Sequence, residues 1–98
     1  MDRLKISDIE IVPLRNPKNG LVGFCSFVLN DSIYVGSVGI YTCLKNDLGY
    51  RLVYPTRKTL NGDLISCVYP INRIAGETIE RVVVAKYKAV VEDALIYE

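Results

Sequence analysis

The side chains best suited to chemistry in this chain are two adjacent cations, Arg57 and Lys58, flanked by the hydroxyls of Thr56 and Thr59. A guanidinium beside an ammonium repels unless an anion or carboxylate lies near. Asp63 is the only acid between Tyr54 and Asp63. Two outcomes follow: an ordinary surface pair with one member partnered by Asp63, or a site for an external anion such as a phosphate. Pro55 cannot donate to a sheet, and Asn61-Gly62 is a strong signal for a tight hairpin turn because both residues tolerate positive φ. The pattern therefore predicts that the two charges sit in an exposed loop, outside any ladder. Arg51 lies just upstream. Arg81 and Lys88, seven residues apart, share a face of a downstream helix, and Arg15 and Lys18 lie in a turn-rich segment. The simplest role for each of these is solvation. In a dimer the Arg57/Lys58 pair occurs twice, and about 4 neutralised phosphates give a log-log salt slope near −3.6, a loss of roughly 150-fold between 50 and 200 mM salt.

Other chemistries are poorly served. The chain has no histidine, no nucleotide-binding glycine loop and no ligand cluster, so nothing in it points to an enzyme, a cofactor or a small-molecule substrate. Cys25, Cys43 and Cys67 lie far apart without C-x-x-C spacing. This argues against zinc; each falls in an apolar run and reads as a core filler in a reducing compartment. Asp31, Asp47 and Asp63 occur singly in turns, where they cap the backbone. With 12 basic and 11 acidic residues the net charge is +1, so attraction to a polyanion requires a local patch. Such segregation exists: 51–58 carries Arg51, Arg57 and Lys58 with no acid, and 92–98 carries Glu92, Asp93 and Glu98 with no base. The first six residues lack the apolar core of a signal peptide, and no run approaches the roughly 20 apolar residues of a membrane helix. A cytoplasmic protein without membrane contact is expected.

The elements that must position these residues follow from periodicity. Leu4 to Val12 reads as a strand whose apolar phase changes near Ser7-Asp8, which predicts a bulge. Pro13 to Gly20 reads as a loop. Leu21 to Leu29, apolar nearly throughout, predicts a strand covered at least in part on both faces. Asn30-Asp31-Ser32 turns the chain into a long strand from Ser32 to Leu44, with Gly36 and Gly39 marking bulges or close backbone approach. A strand that long outruns its neighbours, and its unpaired length invites a second subunit. After a turn at 45–49, Tyr50 to Tyr54 sets Tyr50, Leu52 and Tyr54 on one face against Arg51 and Val53 on the other. Leu64 to Tyr69 completes a hairpin. From about Arg73 a helix follows, with Ile79, Val83, Tyr87, Val90 and Ala94 in its apolar stripe and Val82 and Val91 widening it. Gly76 weakens its start, so its firm part is expected from Glu77. Seven tyrosines offer platforms for stacking bases, but most lie in strands where half face the core.

The run Pro55-Thr56-Arg57-Lys58-Thr59, then Asn61-Gly62-Asp63, then Tyr69-Pro70-Ile71-Asn72, resembles the signature of the stage V sporulation protein G (SpoVG) family of small bacterial regulators. A weaker similarity extends from Ile6-Ser7-Asp8-Ile9 to about Ala89. The chain resembles a divergent member, with Tyr69 where the family carries histidine and Ile65-Ser66 in place of a charged pair. The resemblance implies nucleic-acid binding, dimers, and roles in sporulation, septation or gene regulation. It also implies that Arg57 and Lys58, in swapped basic order, correspond to the family's binding pair.

The combined expectation is one α+β domain over residues 1–98, a twisted, mostly antiparallel sheet with a C-terminal helix. It forms a homodimer through sheet-edge pairing. It binds DNA or RNA through Arg57, Lys58, Thr56 and Thr59, with Arg51, Arg81 and Lys88 extending the surface. The competing expectation is a non-enzymatic protein-interaction module working through a sheet edge or helix face.

Overall fold

The structure, a computed structural model, describes residues 4–96. Its architecture is α+β. β1 (Ile6–Lys18), β2 (Leu21–Leu29), β3 (Ile33–Thr42) and β4 (Tyr50–Val53) form an antiparallel meander in the order β1-β2-β3-β4. A separate two-stranded hairpin, β5 (Thr56–Lys58) and β6 (Leu64–Ser66), follows, and α1 (Arg73–Ile96) closes the described chain. Among the described residues no helix is long and apolar enough to cross a membrane.

Helix α1 covers one face of the sheet, packing on β1 and β4. Cys25 and Phe27 of β2, Val35, Val38 and Ile40 of β3, and Leu52 of β4 meet Ile79, Val83 and Tyr87 of α1 in a single buried cluster. Phe27, Val38, Ile40 and Val83 are fully enclosed. Each such side chain contributes roughly 1.5–3 kcal/mol by leaving water, which is how a valine-rich helix of modest intrinsic propensity is held in place. The helical stripe is shifted from the expected one. Val84 is buried and Val82 is exposed, while Ala94 and the acidic Glu98 lie outside the described side chains. The helix starts at Arg73, as expected, and its first turn is held rather than weakened, because Asn72 caps it: the Ala75 N–H donates to Asn72 Oδ1 at 2.8 Å and the Gly76 N–H to the Asn72 carbonyl at 3.1 Å. Gly76 is placed against Pro70, whose Cγ would lie 3.5 Å from an added Cβ.

The opposite face of the sheet carries no helix. Phe24 is exposed there while Ser26 and Val28 are half-buried, so the second face of β2 is covered only in part. The expected bulge near Ser7-Asp8 is present, with Asp8 at φ 51 and a register shift between Ser7 and Glu10. The bulge in β3 uses Ser37 at φ 58 rather than a glycine. Pro13 to Lys18 is not a loop. β1 continues to Lys18 and turns into β2 through Asn19-Gly20, whose φ values of 56 and 88 suit a two-residue hairpin turn. The prolines are tolerated because β1 is an edge strand.

Candidate nucleic-acid interface

Residues 55–66 form the hairpin that carries the two cations, and its geometry differs from an exposed loop. Thr56, Arg57 and Lys58 are paired in β5, opposite Ser66, Ile65 and Leu64. All six are nonetheless exposed, because the hairpin stands off the main sheet. Strand alternation sends Arg57 and Lys58 to opposite faces of this two-stranded ribbon. The turn between the strands is a three-residue loop: the Thr59 N–H donates to the Asp63 carbonyl at 2.8 Å and the Gly62 N–H to the Thr59 carbonyl at 3.0 Å. Gly62 alone takes positive φ, at 90, so Asn61-Gly62 is not the two-residue turn that its composition suggests. Thr59 acts locally, its Oγ1 accepting from the Asp63 N–H at 3.1 Å. β6 ends at Ser66, shorter than the expected strand to Tyr69.

Asp63 pairs with neither cation. Among the described residues the ion pairs are Lys5–Asp31 and Arg73–Glu77, each at 2.8 Å, which leaves Arg57 and Lys58 available to an external anion. Around them the surface is apolar to an unusual degree for so small a hairpin, with Leu60, Leu64, Ile65, Tyr69 and Ile71 all exposed.

The remaining cations are distributed. Arg51 lies on the helix-free face of the sheet, its guanidinium 5.2 Å from the centre of the Tyr41 ring. Lys88 lies on the helix side, 5.9 Å from the Tyr50 ring, which itself packs edge-on against Tyr87. Arg81 is exposed on α1. The structure thus joins Thr56, Arg57, Lys58 and Thr59 in one element, but separates Arg51 from Lys88 by the thickness of the sheet and keeps α1 packed on β1 and β4 rather than on the hairpin. No family model matches the chain, and no curated protein matches it.

The cysteines also divide. Cys25 is buried, and burial pushes its thiol up from 9.0 to about 12; Cys43 is half-buried and Cys67 exposed, so the core-filler role holds fully for Cys25 only. Tyr54 sits beside an apolar hollow of about 190 Å³ bounded by Phe27, Val35, Val68 and Ile79. Its hydroxyl is sealed without a hydrogen-bond partner among the described residues, and burial raises it from 10.0 to about 12.

Sequence reading passed over one alignment. Lys18, Leu21, Tyr41 and Arg51 occupy facing register positions on β1, β2, β3 and β4, a row across the whole sheet with a cation at each end. Residues directly opposite in antiparallel strands share a face, so all four belong to the helix-free side. The alternation Phe24-x-Ser26-x-Val28 against Cys25-x-Phe27 separates an open from a buried face of β2, but the register shift between Leu21 and Gly23 brings Leu21 to the open side against that alternation.

Proposed function

We infer that this chain is a nucleic-acid-binding regulator of the SpoVG type, acting as a homodimer and using the β5–β6 hairpin as its primary contact. The observation that carries the reading is the standing hairpin with two cations that no described acid neutralises, each on its own exposed face. The likeness of residues 55–72 to the SpoVG signature supports the same assignment. Thr56 and Thr59 flank the cations; phosphate contacts of this kind fix register without reading sequence. Pairing of two chains is supported by β3. Its residues Ile33 to Val38 find partners on β2, but β4 faces only Gly39 to Thr42, so one edge of β3 is left without a ladder. Part of β4's own outer edge is occupied by α1, with the Leu52 N–H donating to Glu80 at 3.4 Å.

The test is fluorescence anisotropy of labelled random-sequence duplex DNA, single-stranded DNA and RNA with the native chain and with Arg57→Ala/Lys58→Ala. Salt-sensitive binding that disappears in the double variant supports the assignment. Failure to bind any of the three at low salt removes it. A second reading, a protein-interaction module, is favoured by the exposed Leu64, Ile71 and Ile74 around the hairpin and helix start. It predicts a partner whose capture survives loss of both cations.

A further inference from the structure

The helix-free face of the sheet combines three aromatic rings and two cations in an arrangement that the hairpin alone does not explain. Tyr34, near the start of β3, is 71% exposed, and Phe24, within β2, 41%. Both tyrosine rings lie beside glycines of β3. A Cβ added to Gly36 would fall 2.8 Å from the Tyr34 ring, and one added to Gly39 would fall 3.0 Å from the Tyr41 ring. The glycines, lacking a Cβ, leave room for the rings to lie close to the backbone of the sheet. Phe24 and Tyr34, the latter paired with Val28, are about 13 Å apart along the strand direction, with Ser26 between them in register. Tyr41 lies toward the other end, under the Arg51 guanidinium and in the row closed by Lys18. Two acids of the edge strand β1 approach this face: Glu10 stands opposite Ser26 in register and so borders the Phe24–Tyr34 interval, and Asp8 lies in the neighbouring bulge, while the Arg51 end of the face carries no acid in register.

Exposed aromatic rings on a four-stranded antiparallel sheet, with cations at the margin, match the chemistry of unpaired bases on a phosphate backbone. A duplex hides its base faces in its own stack and gains nothing from these rings. We propose that the helix-free face, through Phe24 and Tyr34 as stacking rings, with Arg51, seated over Tyr41, and Lys18 on the phosphates, binds single-stranded nucleic acid. The inference rests on the nucleic-acid reading above and gives that reading its ligand class: the β5–β6 hairpin, which follows directly from β4, supplies charge, and the sheet supplies stacking.

The experiment measures anisotropy of labelled (dT)20, U20 RNA and a 20-base-pair duplex at 50 mM salt. Three proteins are compared: the native chain, Phe24→Leu/Tyr34→Leu, and Arg57→Ala/Lys58→Ala. Leucine preserves apolar cover over the sheet and removes the π-face, and an unchanged melting temperature checks folding; Tyr34→Leu alone serves should the pair unfold. The expected result is preference of the native chain for the single strands, a loss of about fivefold per ring and about 25-fold in the double variant, and little change in duplex affinity. Quenching of tyrosine fluorescence by unlabelled (dT)20, reduced in Tyr34→Leu, accompanies it. Duplex binding as tight as single-strand binding, or leucine variants that hold (dT)20 as well as the native chain while the hairpin double variant loses it, overturns this proposal and leaves the hairpin reading standing. Loss of self-association in the leucine variants in step with their affinity assigns the face to a second copy and also overturns it. No binding of any probe by the native chain removes both.

Discussion

Replacing Arg57 and Lys58 one at a time distinguishes a hairpin contacted from one side from a hairpin that a polyanion wraps. Arg57 faces with Ile65 and Lys58 with Leu64, on opposite sides of the ribbon. A backbone lying along one side meets one of the two cations. For a pair of chains the count of neutralised phosphates from this source is then about 2 rather than 4. The hairpin's share of the log-log salt slope falls to about −1.8, and the corresponding loss of affinity between 50 and 200 mM salt is about 12-fold instead of roughly 150-fold. The assay is anisotropy of a labelled 20-base-pair duplex titrated at five salt concentrations with the native chain, Arg57→Ala, Lys58→Ala and the double variant. Both residues are exposed, so each alanine should leave stability within about 0.5 kcal/mol of native and the titrations compare folded proteins. The expected outcome is asymmetric: one single variant reproduces the slope change of the double variant and the other matches the native chain. Equal changes in the two single variants, summing to about 3.6, would refute one-sided contact and with it the consequence drawn from strand alternation.

Further expectations concern the scaffold. Tyr54→Phe removes a sealed hydroxyl that lacks a partner, and chemical denaturation should show a gain of about 1 kcal/mol at pH 7. Tyr54 and Cys25 both have folded-state pKa values raised to about 12, so unfolded chains lose these protons first, near 10.0 and 9.0; their contribution to stability is present below pH 9 and lost as pH rises toward 12. Melting temperature should therefore fall above pH 9 in the native chain and fall less in Tyr54→Phe/Cys25→Ala. Asn72→Ala should cost about 1 kcal/mol by uncapping α1, measured as a lower denaturant midpoint with an unchanged slope. Gly23→Ala drives a Cβ to 2.9 Å from the Val12 carbonyl, and a destabilisation of roughly 1–3 kcal/mol is expected; a neutral result would mean that β1 can shift as an edge strand.

The parts of the fold legible from sequence were those where one periodicity governs. β2 was given to the residue, β3 and β4 to within one or two at each end, and the helix by its recurring Ile79, Val83 and Tyr87. Errors arose where a local signal competed with tertiary context. Pro13 and Pro17 suggested a loop, yet on an edge strand their missing donors cost no ladder. Gly76 argued for a weak first turn of the helix, yet Asn72 caps the first turn and Pro70 fills the space beside the glycine. Arg57 and Lys58 are legible as exposed, whereas composition does not decide whether Asp63 partners one of them, and three-residue strands carry almost no period to mark them as strand residues. The Lys18-Leu21-Tyr41-Arg51 row was out of reach for a different reason. It depends on register shifts between Pro13 and Lys18 of β1 and between Leu21 and Gly23 of β2 and on the Asn19-Gly20 turn, and alternation within any one strand does not reveal which residues face each other across four.

The hairpin's ladder is largely its own, and none of its side chains belongs to the buried cluster. It is therefore a separate cooperative unit of low local stability, whose amides should exchange with solvent far faster than those of β2 and β3. Substitutions in residues 56–66 are largely decoupled from whether the rest of the chain folds. A segment in that position is free to change its sequence, and with it the ligand it meets, at almost no cost to the scaffold.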